Sequence, residues 1–130
     1  MNVLIDTHSC AEYLLGTSQG AVARKYLEDP DGEHSTDGVA ISAATVAELT
    51  KWAIRTGGRE ARRAAETLIS RVPIIPIDEA VAREAGRISA SHDCSLGDAL
   101  IYATAQAQDA KLLTGDPHFK GTKDTIYIGG

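Results

Sequence analysis

Residues 2–8 read NVLIDTH, a short apolar run, NVLI, that stops at Asp6. A strand covered by helices on both faces shows continuous rather than alternating apolar residues, and a parallel sheet carries its chemistry beyond the carboxyl ends of its strands. The run therefore reads as a buried parallel strand with Asp6 at its tip.

Outward from that strand, helices and strands alternate. His8–Leu15 forms a short helix stopped by Gly16, and Gln19–Glu28 a second, ending before a polar loop that runs from Asp29 to Gly38. Val39–Ser42 reads as a second strand, followed by the helix AATVAELTKWAIRT with a glycine stop at Gly57 and by a basic, alanine-rich helix over Gly58–Arg71. The proline-bounded run PIIPID, residues 73–78, is a third strand. Asp78 caps a helix over Glu79–His92 with Ala82, Ala85, Ile88 and Ser89 on one face. Ser95 caps another over Leu96–Gln108 with Leu100, Ala103, Thr104 and Ala107 on one side. Lys111–Thr114 is a strand closed by the turn Gly115-Asp116-Pro117, and Thr125–Ile128 is a last one. This alternation predicts an α/β fold, three layers deep, with a central, mostly parallel sheet of four to five strands.

The 130 residues suit one domain, 1–130, and no apolar run is long enough to cross a bilayer. The first residues show no basic segment ahead of an apolar stretch, so a cytoplasmic setting is expected. Cys10 and Cys94 are too few and too far apart for a metal knuckle and read as packing residues. A formal net charge of −5 argues against broad adhesion to nucleic acid. A polyanionic substrate would need divalent ions or a confined basic patch to hold it.

Asp6, Glu48, Asp98 and Asp116 stand out because their neighbours are mostly apolar, and a buried carboxylate is costly unless it is paired or binds a metal. Each also has an ordinary explanation. Asp98 follows the cap Ser95 at a position that suits a capping box, Asp116 sits in a glycine-proline turn, and Glu48 is spaced to pair with Lys51. Asp6 is the hardest to explain structurally. Mg2+ and Mn2+ favour oxygen ligands and keep several waters, so a few converging carboxylates suffice for either.

Together, LIDT at 4–7, TVAELTKW at 45–52, SLGDALIYATA at 95–105 and LLTGDPHF at 112–119 resemble the PIN domain family, most closely its VapC-type toxin ribonucleases. The resemblance spans nearly the whole chain and implies a PIN-like fold. It implies that Asp6, Glu48, Asp98 and Asp116 are catalytic and hold Mg2+ or Mn2+, with Thr7 and Thr114 as supporting hydroxyls. The implied activity is hydrolysis of RNA phosphodiesters by a metal-activated water. It further implies a small antitoxin partner and a homodimer, for which Tyr13, Leu14, Leu15 and Trp52 could supply an apolar patch. One departure is His8, where the family usually has asparagine or serine. A surface or capping role is the expectation for it, and His34, His92 and His118 are given no role.

RNA contact is assigned to Lys51 and Arg55 on the Glu48 helix and to Arg59 on the next, beside Arg62 and Arg63. The alternative is a solvated face paired with Glu60 and Glu66. Trp52 could stack on a base, but packing is the expected role. Two other functions compete. One is a metal-dependent phosphohydrolase acting on DNA or a phosphomonoester, although His8 stands where a phosphatase using an aspartyl intermediate needs its second acid. The other is a non-catalytic binding module, which would lose stability rather than activity in D98N.

Overall fold

Val3, Leu4 and Ile5 form β1 (Val3–Ile5), and all are buried. Val3 and Ile5 join one apolar cluster and Leu4 the other, because successive side chains of a strand point to opposite faces. Fully burying side chains of this size stabilises the fold by about 1.5–3 kcal/mol each. The structure, a computed structural model, describes residues 2–28 and 38–129, so most of the polar loop expected from Asp29 lies outside the described residues.

The remaining elements are α1 (Thr7–Leu15), α2 (Gly20–Glu28), β2 (Val39–Ser42), α3 (Ala43–Thr56), α4 (Arg59–Arg71), β3 (Ile74–Ile75), α5 (Glu79–His92), α6 (Leu96–Ala107), β4 (Lys111–Thr114) and β5 (Thr125–Tyr127). The strands form one sheet in the order β3-β2-β1-β4-β5, with every neighbouring pair parallel. One face packs under α1 to α4, where Cys10, Ala23, Leu49 and Leu68 are buried. The other packs under α5 and α6 through Val81, Ala85, Ile88 and Ile101. The expected three layers are thus present. From β1 the chain winds outward to β2 and β3, then returns to the other side for β4 and β5. Direction reverses between β1 and β4, so the crevice of the sheet opens beyond their carboxyl ends.

Three expectations need correction. The third strand is only Ile74–Ile75, not 73–78, because Pro73 and Pro76 bring no N–H to the ladder. On α5 the buried stripe is Val81, Ala85 and Ile88, with Ala82 exposed. On α6 Ala107 is exposed, while Ala99, Ile101, Ala103, Thr104 and Ala105 are all buried, so the helix is covered on more than one side. After the Gly115–Pro117 turn a single 3-10 turn, Pro117–Phe119, follows and buries Phe119 against Tyr102. Cys10 and Cys94 are free and buried; burial, reinforced at Cys10 by the charge of Asp6, pushes both thiols up. Tyr13, Leu14 and Trp52 are half-buried against the core, and of the four apolar residues suggested as a patch Leu15 alone is exposed. Among the described residues no helix is long and apolar enough to cross a membrane.

Candidate active site

Register brings the first acid to the crevice. Ile5 pairs with Leu113, so Asp6 stands beside Thr114 at the ends of β1 and β4. Asp6 is 4% exposed. Its Oδ1 accepts from Ser9 N–H at 2.8 Å, which makes it the N-cap of α1, and its Oδ2 accepts from the Thr114 hydroxyl at 2.7 Å and from Gly115 N–H at 3.2 Å. The Thr114 hydroxyl in turn accepts from Asp116 N–H at 3.0 Å, so one side chain orients two acids.

On the other side of Asp6, the Thr7 hydroxyl donates to Glu48 Oε1 at 2.7 Å. Glu48 therefore turns toward α1 instead of pairing with Lys51. Its Oε2 lies against Gly97, where a Cβ would come within 2.6 Å of it. The next residue is Asp98, whose N–H donates to the Ser95 hydroxyl at 3.1 Å at the start of α6. Burial, together with the nearby Asp116 carboxyl and the charge of Glu48, raises Asp98 to about 6 against the opposing pull of Ser95. Asp116 closes the circuit. Burial disfavours its charge, but the backbone N–H and ring of His118 and the contact with Asp98 outweigh that and hold it below the usual carboxylate value.

The four acids thus lie around the same strand ends: Thr114 links Asp6 to Asp116, Asp116 meets Asp98, and Glu48 meets Thr7 and Gly97, the chain neighbours of Asp6 and Asp98. Among the described residues no three His, Cys, Asp or Glu side chains are gathered tightly enough to enclose an ion. A hard divalent cation is nonetheless compatible with the donors, which are all oxygens, since such ions keep much of their water. Asp116 Oδ2 is the clearest sign of fit, being buried with no hydrogen-bond donor among the described residues once Asp98 is ionised. A buried anionic oxygen beside a carboxyl pushed up to about 6 is relieved either by the proton that Asp98 holds or by a cation that replaces it.

Lys51, Arg55 and Arg59 are exposed, and among the described residues no hydrogen bond or ion pair joins them to the acids. Arg55 lies seven residues beyond Glu48, about 10 Å farther along α3 and away from the crevice. Among the described residues Arg59, Arg62 and Arg63 make no ion pair with Glu60 or Glu66; the ion pairs formed instead include Arg24–Glu28, Arg83–Glu79 and Arg87–Glu84. His8 is exposed and is not a cap, since Asp6 fills that position; its ring contacts Gln19 and lies over Gly115. Two residues at the site escaped the sequence reading. Gly97 carried no signal beyond its place in a helical turn. His118 did: aspartate in a turn bonds the backbone two residues on, which carries that residue's side chain back to it.

The fold is shared with several solved structures. A toxin–antitoxin complex from Klebsiella pneumoniae superposes with a TM-score of 0.75 at 22% identity, covering 97% of this chain and 97% of that chain. VapBC-1 from nontypeable Haemophilus influenzae gives 0.72 at 22% identity with 98% of each chain covered. Mycobacterium tuberculosis VapC20, described as a toxin that cleaves the sarcin-ricin loop, gives 0.70 at 19%, covering 94% of this chain and 95% of that chain. No curated protein matches the chain by sequence. The PIN domain model matches residues 3–124, close to the full length, and the chain belongs to the PIN domain family.

Proposed function

We propose that this protein is an endoribonuclease that requires Mg2+ or Mn2+ and acts as the toxin of a toxin–antitoxin pair. The observation that supports the reading is the buried Asp116 Oδ2, unpartnered among the described residues when Asp98 is ionised, with Asp6 and Glu48 at the same strand ends. These four residues would hold the ion. When bound, such an ion acidifies water for attack on a phosphodiester and screens the charge that develops on the phosphate. Thr114 and Thr7 keep Asp6 and Glu48 from turning away. Asp98 holds a proton more readily than an ordinary aspartate until a cation displaces it. Lys51, Arg55 and Arg59, free of ion pairs among the described residues, supply cations for RNA phosphates along α3 and α4.

RNA is favoured over DNA by the likeness to VapC20, and an antitoxin partner by the likeness to the Klebsiella and Haemophilus complexes. A cytoplasmic homodimer completes the reading. The test is cleavage of a mixed single-stranded RNA panel with Mg2+, Mn2+ or EDTA by the wild type, D6N and D98N. Metal-dependent cleavage lost in both variants is the expected result. Folded wild type that binds metal but cuts no RNA would overturn it.

A further inference from the structure

Asp116 meets the crevice with one oxygen already committed. Oδ1 accepts from the His118 backbone N–H at 2.9 Å and lies 2.8 Å from the His118 ring Nδ1. An ionised carboxylate only accepts, so Nδ1 carries the hydrogen in this contact. Two donors on the same oxygen hold the carboxylate against rotation, and Oδ2 is left buried with no donor. Without these donors nothing in the turn fixes the plane of the carboxylate, and an unsatisfied buried acceptor is costly. Pro117, between the two residues, fixes the 3-10 turn that returns the His118 ring to Asp116.

We propose that His118 is a positioning residue, which pins Asp116 Oδ1 so that Oδ2 stays turned into the crevice to receive the divalent ion. The inference rests on the reading of the acids as an ion site and adds a residue to it. A purely structural role is the competing explanation, in which the ring merely completes the turn. Since His118 is 49% exposed, its removal should leave the core intact.

The test is Mn2+ titration of the full chain by electron paramagnetic resonance, with wild type, H118A and H118N. Asparagine offers an amide N–H close to where the ring N–H stands. The expected result is binding about tenfold weaker in H118A and largely restored in H118N, with metal-free melting temperatures within about 2 °C of one another. Nitrogen-15 spectra of the neutral, metal-free wild type should also show the hydrogen of His118 on Nδ1. Equal affinity in H118A, a lowered melting temperature without rescue by H118N, or a hydrogen on Nε2 would each overturn the positioning role. If the wild type itself binds no Mn2+, the ion site fails and this role with it.

Discussion

The Thr114 hydroxyl donates to Asp6 Oδ2 at 2.7 Å, joining residues 108 positions apart in the chain. The contact exists because β1 and β4 are sheet neighbours although α1 to α6 and two strands lie between them in sequence. It turns a feature of topology into the geometry of a site. The same hydroxyl accepts from Asp116 N–H, so its loss reaches both strand ends.

T114V keeps the shape of the side chain and removes both bonds. Thr114 and Asp6 are buried, so Asp6 Oδ2 is left with the Gly115 N–H alone and Asp116 N–H loses its acceptor. The expected cost is about 1–3 kcal/mol of stability, read from the urea midpoint. A midpoint unchanged in T114V would show that the hydroxyl orders neither acid.

Asp98 gives a dependence on pH of unusual sign. Its folded value near 6 is raised above 3.8, so the fold binds this proton more tightly than the unfolded chain does. Without metal, ionised Asp98 therefore subtracts stability above about 6, and stability should rise as pH falls from 7 toward 4. Asp116, held below 3.8, opposes this only at lower pH. D98N should raise metal-free stability at pH 7.5 and flatten the profile, since Ser95 still caps α6. Denaturation in EDTA across that range checks it, and a less stable D98N would instead support a purely structural acid.

G97A separates stability from ion binding. The new Cβ would come within 2.6 Å of Glu48 Oε2, the end of a flexible side chain that can move aside. Alanine favours a helix over glycine by about 1 kcal/mol, so the melting temperature should hold or rise. Mn2+ affinity should fall, because Glu48 is pushed out of line. Unchanged affinity would remove Glu48 Oε2 from the site.

Most strand and helix limits, the third strand apart, can be read in the chain because their signals are local: NVLI is continuous, Gly16 and Gly57 stop helices, and Asp78 and Ser95 cap them. The face of α5 could not, since its many small residues let stripes through Ala82 or Val81 fit equally well. Ala107 was misplaced because α6 is covered on more than one side and lacks one apolar stripe. The acids stand out through their apolar neighbours and through the motifs they share with a family, whereas the room that Gly97 leaves for Glu48 is a relation between helices distant in sequence. No periodicity records such a relation. His118 was legible in principle through the turn at Asp116, but its value depends on a buried orphan oxygen that only packing reveals.

G20A tests the packing that carries α1, and with it Asp6. Gly20 opens α2 where that helix crosses α1, and a Cβ there would lie 2.4 Å from the backbone carbon and oxygen of Glu12 and 2.5 Å from Tyr13 N. Backbone cannot swing aside as the Glu48 carboxylate can, so one helix must shift bodily. Overpacking of this kind typically costs about 1–3 kcal/mol, more than the gain in helix propensity from removing a glycine. G20A should therefore melt lower than wild type while G97A does not, although both add the same methyl group to a glycine near a helix start. Because Asp6 caps α1, displacement of that helix should also weaken Mn2+ binding in proportion to the loss of stability. If G20A proves as stable as wild type, α1 and α2 do not approach as closely in solution, and the rigidity ascribed to Asp6 must come from Thr114 and Gly115 alone.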